Sequence, residues 1–381
     1  MGGKVFELVK MPNGGPPEVP RMSPDLYKKV IADCQPKLQA LFRNVVVPRD
    51  VVGKIDHGDV DFLVEGILST TPAEAIWETT KTRFGAELHV PRNQSQSFGI
   101  PHPEISGAFV QVDVELSPGS GTSDSAELFE WTKFMKGDAD LLQIIGIAHR
   151  PLGITCNDRG LHLRLEQIEP YDKKKALLFL TRDPVQAMQF YGFDVDKYHK
   201  GFEDETDLFD WVAAGRFFSS EIFERRVERS DDRSRHSKRP MYRHFVDDYM
   251  PKTHRGTGNA WSRESVLCEA IKTFGVHAEY DAMMTVHLTK VAEEELWKEV
   301  KAVIPAQDKA LAAAVRALRR RVVFSNGKPR IADTPTLPGD YIVWAEHVSE
   351  SSKNDVLMWV EKNWREVKSR DKAGMNAARE A

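Results

Sequence analysis

Two short runs do most to limit what this chain can become: GDVDFLVE at 58–65 and VQVDVEL at 110–116. Both are built from β-branched and aromatic residues that favour strands. Successive side chains of a strand point to opposite faces, so i and i+2 share one. Asp59 and Asp61 therefore project together. In the second run Val110, Val112 and Val114 take one face, while Gln111, Asp113 and Glu115 take the other. A carboxylate fixed mid-strand opposite an apolar face is costly unless it is paired or bound to a cation. Asp113 therefore sits mid-strand, opposite an apolar face, and three carboxylates on adjacent strands could bind two cations.

The 381 residues are long enough for two or three compact units. Lys and Arg number 53 against 57 Asp and Glu, a formal net charge of -4. That near balance argues against a generic nucleic-acid coat, which would be strongly basic. A membrane span is not expected, because the longest apolar stretch, at 141–148, is broken by Gln143 and is far shorter than the ~20 residues needed. The opening MGGKVFELVK has no apolar core of a secretory leader, and Phe6 breaks the myristoylation pattern. Cys34, Cys156 and Cys268 are far apart and odd in number, so neither a disulfide framework nor a zinc site is expected. The expected compartment is cytoplasmic or nuclear.

Four segments are expected: a flexible stretch at 1–22, an α/β core at 23–118, a helical domain at 119–258 with an Arg-rich loop, and a helical extension at 259–381. Ser23-Pro24 reads as an N-cap and first helical residue, opening a helix to about Phe42 that Pro36 kinks or divides. A strand at Val45–Val52 and another at Asp59–Glu65 follow. Thr71-Pro72 starts a helix that Gly85 stops, and strands are expected at Glu87–Val90 and Ala108–Leu116. Beyond the Gly/Ser-rich hinge at 117–123 come helical periodicity over 124–148, a strand at Leu161–Gln167 and helices over 184–228. A polar loop follows at Asp231–Gly258, then helix over 262–321. A strand at Tyr341–Trp344 and an amphipathic helix at Lys353–Lys368 complete the expectation.

Asp59, Asp61 and Asp113 are candidate metal ligands and catalytic residues. Clustered carboxylates repel and tend to retain a proton, a conflict that a divalent cation removes, and hard oxygen donors suit Mg²⁺ or Mn²⁺. Gly53-Lys54 offers a tight turn with a cation, and Gly58 allows close backbone approach. With His57 they form the candidate nucleotide-binding set.

With these residues the chain resembles the nucleotidyltransferases of the DNA polymerase β-like superfamily. Asp59-Val60-Asp61 matches the family's Asp-x-Asp pair, and Asp113 matches its third carboxylate. The order helix, strand, helix, strand over about 23–118 also agrees. The family's Gly-Ser turn is replaced here by Gly53-Lys54. The resemblance implies an α+β fold with a mixed sheet, and Mg²⁺- or Mn²⁺-dependent transfer of a nucleoside monophosphate from an NTP to an acceptor hydroxyl. The alternative is a protein of the same fold without activity that binds RNA or a protein partner.

Other motifs are weak or missing. Gly119-Ser120-Gly121 lacks the third glycine of a dinucleotide turn, and Gly327-Lys328 is followed by Pro329 rather than Ser or Thr. Neither a Gly-x-Ser-x-Gly elbow nor a His-Glu-x-x-His helix occurs. The stretch 225–243 holds eight basic and three acidic residues beside Tyr242, His244 and Phe245. It marks Arg233, Arg235, Lys238 and Arg239 as candidate nucleic-acid contacts, with RNA the candidate acceptor.

Overall fold

The computed structural model describes residues 5–12, 14–51, 53–68, 72–92, 95–220, 230–253, 261–337 and 339–380. The chain forms two compact units, Met1–His277 and Ala278–Ala381. The first contains the segments expected at 23–118 and 119–258, and also residues 259–277.

Its defining element is a five-stranded mixed sheet of order β1-β2-β5-β4-β3, with β1 Phe42–Val46, β2 Val60–Ile67, β3 Leu88–Arg92, β4 Ser95–Pro101 and β5 Phe109–Leu116. β2 and β5 are parallel, and the other pairings are antiparallel. Val60, Phe62 and Val64 of β2, Phe98 of β4 and the three valines of β5 form one buried cluster. Helices α1 (Pro24–Gln39) and α2 (Ile76–Phe84) cover it with Leu26, Cys34, Leu38, Ile76 and Phe84. The Ser23 side chain accepts from Leu26 N at 3.2 Å, as a cap should. Gly85 ends α2 at φ 65, a left-handed position that suits glycine.

Several expected boundaries move. α1 continues through Pro36 to Gln39, and Phe42 already belongs to β1, which spans 42–46 rather than 45–52. β4 has no counterpart among the expected strands: Ser95, Ser97 and Gly99 give one of its faces no strand signature, and pairing with β5 supplies what local propensity lacks. Within the stretch expected to be flexible, Phe6 and Met22 are buried, and Met22 bridges His57.

The stretch expected to be helical carries helices α3 (Ser125–Lys136), α4 (Leu141–His149), α5 (Pro184–Tyr191), α6 (Val195–Lys200) and α7 (Glu205–Ala213). It also holds a three-stranded antiparallel sheet, β6 (Ile154–Asn157), β7 (Gly160–Arg164) and β8 (Leu177–Thr181), of which the sequence marked only β7. The polar loop expected at 231–258 is helical where described: α8 (Ser230–Lys238), α9 (Pro240–His244), then a π-turn over Phe245–Tyr249 and a 3₁₀ turn at Met250–Lys252. The reason is anchorage. Met241, Tyr242, Phe245 and Met250 are buried, and Arg150 pairs with Asp232 at 2.8 Å. Arg225, Arg226 and Arg229, and residues 254–258, lie outside the described residues. α10 (Arg263–Phe274) opens on a capping box between Ser262 and Ser265.

The second unit packs α11 (His277–Ala302), α12 (Asp308–Arg321) and α13 (Glu350–Glu380) around Trp297, Leu318, Trp344, Val360 and Trp364. A hairpin of β9 (Val322–Ser325) and β10 (Lys328–Ile331) turns at Asn326 and Gly327, both at positive φ (51 and 72). The strand expected at 341–344 is not formed. Trp344 instead opens a 3₁₀ turn and is fully buried against Trp297 and Phe324, so its apolar side chain serves the helical core. Among the described residues no helix is long and apolar enough to cross a membrane.

Candidate metal centre

The sheet register brings the acidic residues together. Asp61 of β2 stands directly opposite Asp113 of the parallel β5, and Asp59 enters from the residue before β2. One ligand atom from each of the three lies within 4.8 Å of the others. Asp59 and Asp113 are half-buried and Asp61 is open to solvent. Protein nonetheless surrounds Asp61 closely. Lost hydration, followed by repulsion from Asp59 and Asp113, pushes its carboxyl up to about 7, against a weaker pull from Lys136. Burial likewise raises Asp113, again aided by Asp59, while Ser97, Gln111 and Arg92 act in the other direction. Ser97 is the cross-strand partner of Asp113 on β4, and Gln111 Nε2 donates to both Asp113 oxygens at 3.0 Å.

This donor set fits a hard divalent cation. Three converging carboxylates, one of them raised by lost hydration and by its two neighbours, are the oxygen ligands that Mg²⁺ and Mn²⁺ prefer. Glu115, two residues beyond Asp113 on the same face, is neutralised by Lys136 at the end of α3 (2.7 Å). The three triad carboxylates themselves make no ion pair among the described residues. The face-sharing of Glu115 was legible in the alternation of β5. Lys136 and Ser97 were not, since nothing local in sequence links them to the triad.

The expected nucleotide-binding residues divide. Gly53 is exposed at φ 76, as a tight turn requires. Lys54 is half-buried and bonded to Asp50 at 2.6 Å. His57 is buried, stacks on Tyr27 with centroids 3.7 Å apart, and exchanges backbone hydrogen bonds with Met22. Burial, then Lys54, depresses its pKa, with Asp50 opposing. Its place is therefore structural, holding the turn beneath the triad. Gly58 is buried beside it.

Lys54 opens onto a cleft of about 700 Å³ that also receives Arg235, Lys238 and Arg239 from the far wall. Arg233 is exposed on the same helix but does not line the cleft. Arg21 lines the cleft too, pairs with Asp56 and feels Asp59, so cleft and triad are neighbours. Two candidate groups separated by some 180 residues in sequence thus face one space. No protein-family model matches this chain, and no curated protein matches it by sequence.

The raised Asp61 carries a stability consequence. Between the ordinary carboxyl value of 3.8 and about 7 the folded chain holds a proton that the unfolded chain releases, so stability falls as pH rises through that window. Asp61→Asn removes the ionisation. In EDTA it is expected to raise Tm by about 2 °C at pH 8, on the order of 1 kcal/mol once solvent screening is allowed for, and by less at pH 4. Thermal unfolding followed by circular dichroism reads this directly. A lower Tm at pH 8 would contradict it.

Proposed function

We propose that the protein is a Mg²⁺- or Mn²⁺-dependent nucleotidyltransferase that moves a nucleoside monophosphate from an NTP to an acceptor hydroxyl, the acceptor oxygen bonding the α-phosphorus as its bond to the β-phosphate oxygen breaks and pyrophosphate leaves. One observation carries this reading: Asp61 and Asp113 stand opposite each other on adjacent parallel strands with Asp59 beside them. When bound, the cations would polarise the phosphoryl oxygens and lower the pKa of the attacking hydroxyl. Asp59 and Asp61 would hold them, and Asp113 would complete the set and take the acceptor's proton on a carboxylate oxygen. Gln111, which donates to both of its oxygens, would keep Asp113 oriented for that task. Lys54, at the mouth of the turn, would meet phosphate oxygens after release from Asp50. Similarity of the acidic pair and element order to the polymerase β-like superfamily supports the same reading.

The test has two readouts. Calorimetric titration with Mn²⁺ should show binding that Asp59→Asn and Asp61→Asn each weaken at least about tenfold. Labelled NTPs incubated with a mixed RNA and metabolite extract should yield a labelled product only when Mg²⁺ or Mn²⁺ is present. Unchanged Mn²⁺ binding in both variants, or full transfer in EDTA, would refute the assignment.

A further inference from the structure

The cleft beside the triad has chemistry of its own. Five cations line it, Arg21 and Lys54 on one wall and Arg235, Lys238 and Arg239 on the other, against Asp50, Asp140 and Glu205. Most of these cations are already engaged: Lys54 with Asp50, Arg235 with Asp232 at 2.9 Å, Arg239 with Asp140. Lys238 is different. It is exposed and has no ion pair among the described residues. A lysine at the carboxyl end of a helix is favoured by the helix dipole alone, so its position on α8 implies no ligand. The opposite wall does. Lys54 and Arg21 face it across a space of the size that small ligands or a few nucleotides fill. Arg235 and Lys238, three residues apart on α8, share one helix face, which makes a row of donors rather than a point. Guanidinium forks and ammonium groups in a row suit phosphate oxygens.

We propose that this cleft binds, without any metal, the phosphodiester backbone of a single-stranded polynucleotide that serves as the acceptor. The phosphates seat on Arg235, Lys238 and Arg239, and the strand's terminal hydroxyl is delivered past Lys54 toward Asp113. Naming the strand as acceptor rests on the transfer reaction proposed above, whereas the phosphate site does not. Arg239 exchanges Asp140 for phosphate as the strand enters, and Asp140 then turns to solvent at the cleft edge.

The experiment keeps the triad out of play. A fluorescein-labelled twelve-nucleotide oligoribonucleotide is titrated with the full chain in EDTA and followed by anisotropy, alongside calorimetry with inorganic tripolyphosphate. Three phosphate contacts should give a slope of log K against log salt near −2, since each contributes about 0.7 on a single strand. Lys238→Glu should weaken binding at least about fivefold and flatten the slope by roughly 0.7, and Lys238→Arg should restore both. Lys238 is exposed with no ion pair among the described residues, so the variant reports binding rather than folding. Absence of oligonucleotide binding in EDTA, binding untouched by Lys238→Glu, or binding of tripolyphosphate alone would overturn the proposal. Each of those results leaves the Mn²⁺ titration of the triad standing, so the two readings fail separately.

Discussion

Asp61→Ala is expected to slow nucleotidyl transfer on the order of 10³-fold while the protein remains folded. The size follows from the role. Charge stabilisation by bound cations contributes several kcal/mol at the transition state, and each 1.36 kcal/mol is a factor of ten in rate. Asp61 is the one triad member open to solvent and lies opposite Asp113 in the sheet, so its loss would remove a proposed ligand without opening a cavity in the core. Folding should survive because Val60, Phe62 and Val64, on the buried face of the same strand, are untouched. Single-turnover rates at saturating Mn²⁺, with circular dichroism on the same samples, decide the matter. A loss below tenfold with unchanged Mn²⁺ affinity would mean that Asp61 is not a ligand.

The second large effect concerns the cleft wall. Arg49 donates to both oxygens of Asp138 at 2.6 Å, reaches the Tyr198 carbonyl at 2.7 Å, and lies 4.5 Å over the Tyr198 ring. Asp138 is almost fully buried, and burial raises its pKa despite Arg49. The pair is thus a poor net stabiliser intact but costly to break. Asp138→Ala strands a guanidinium in a partly closed site and places alanine at φ 53, where aspartate is better tolerated. We expect a loss of about 3 kcal/mol in urea unfolding, and about half of that for Asp138→Asn, which keeps one acceptor and the backbone preference. Ala139 and Asp140, next in the chain, line the cleft, so oligonucleotide binding should weaken with them. A loss under 1 kcal/mol for alanine would show that Tyr198 alone holds Arg49.

Where chemistry and local pattern coincided, the sequence was readable. In β5 the valines alternate with Gln111, Asp113 and Glu115, and the carboxylates of β2 and β5 converge as period-two geometry requires. Ser23 and Gly85 marked helix ends by their own chemistry. Reading failed where tertiary contact overrode composition. β4 places serine and glycine on the face it shares with Asp113, and polar α8 is fastened by the Arg150–Asp232 ion pair rather than by aliphatics. Asn326-Gly327 is a hairpin signal in its own right, since both residues take the positive φ that such a turn requires. That Lys54 and Lys238 share a cleft could not be read at all, since their meeting depends on how α8 packs.

The parallel pairing of β2 with β5 has one more consequence, for the order in which site and ion come together. A slip of one residue would turn Asp113 into the valine and phenylalanine layer beneath α1 and α2 and expose the valines in its place. The greasy side of the sheet thus proofreads the acidic side, and no cation is needed to set the alignment. An arriving ion would meet ligands already assembled, and a chelator would withdraw it without undoing the strands. On the proposed reading the site would load reversibly rather than fold around a permanently held metal.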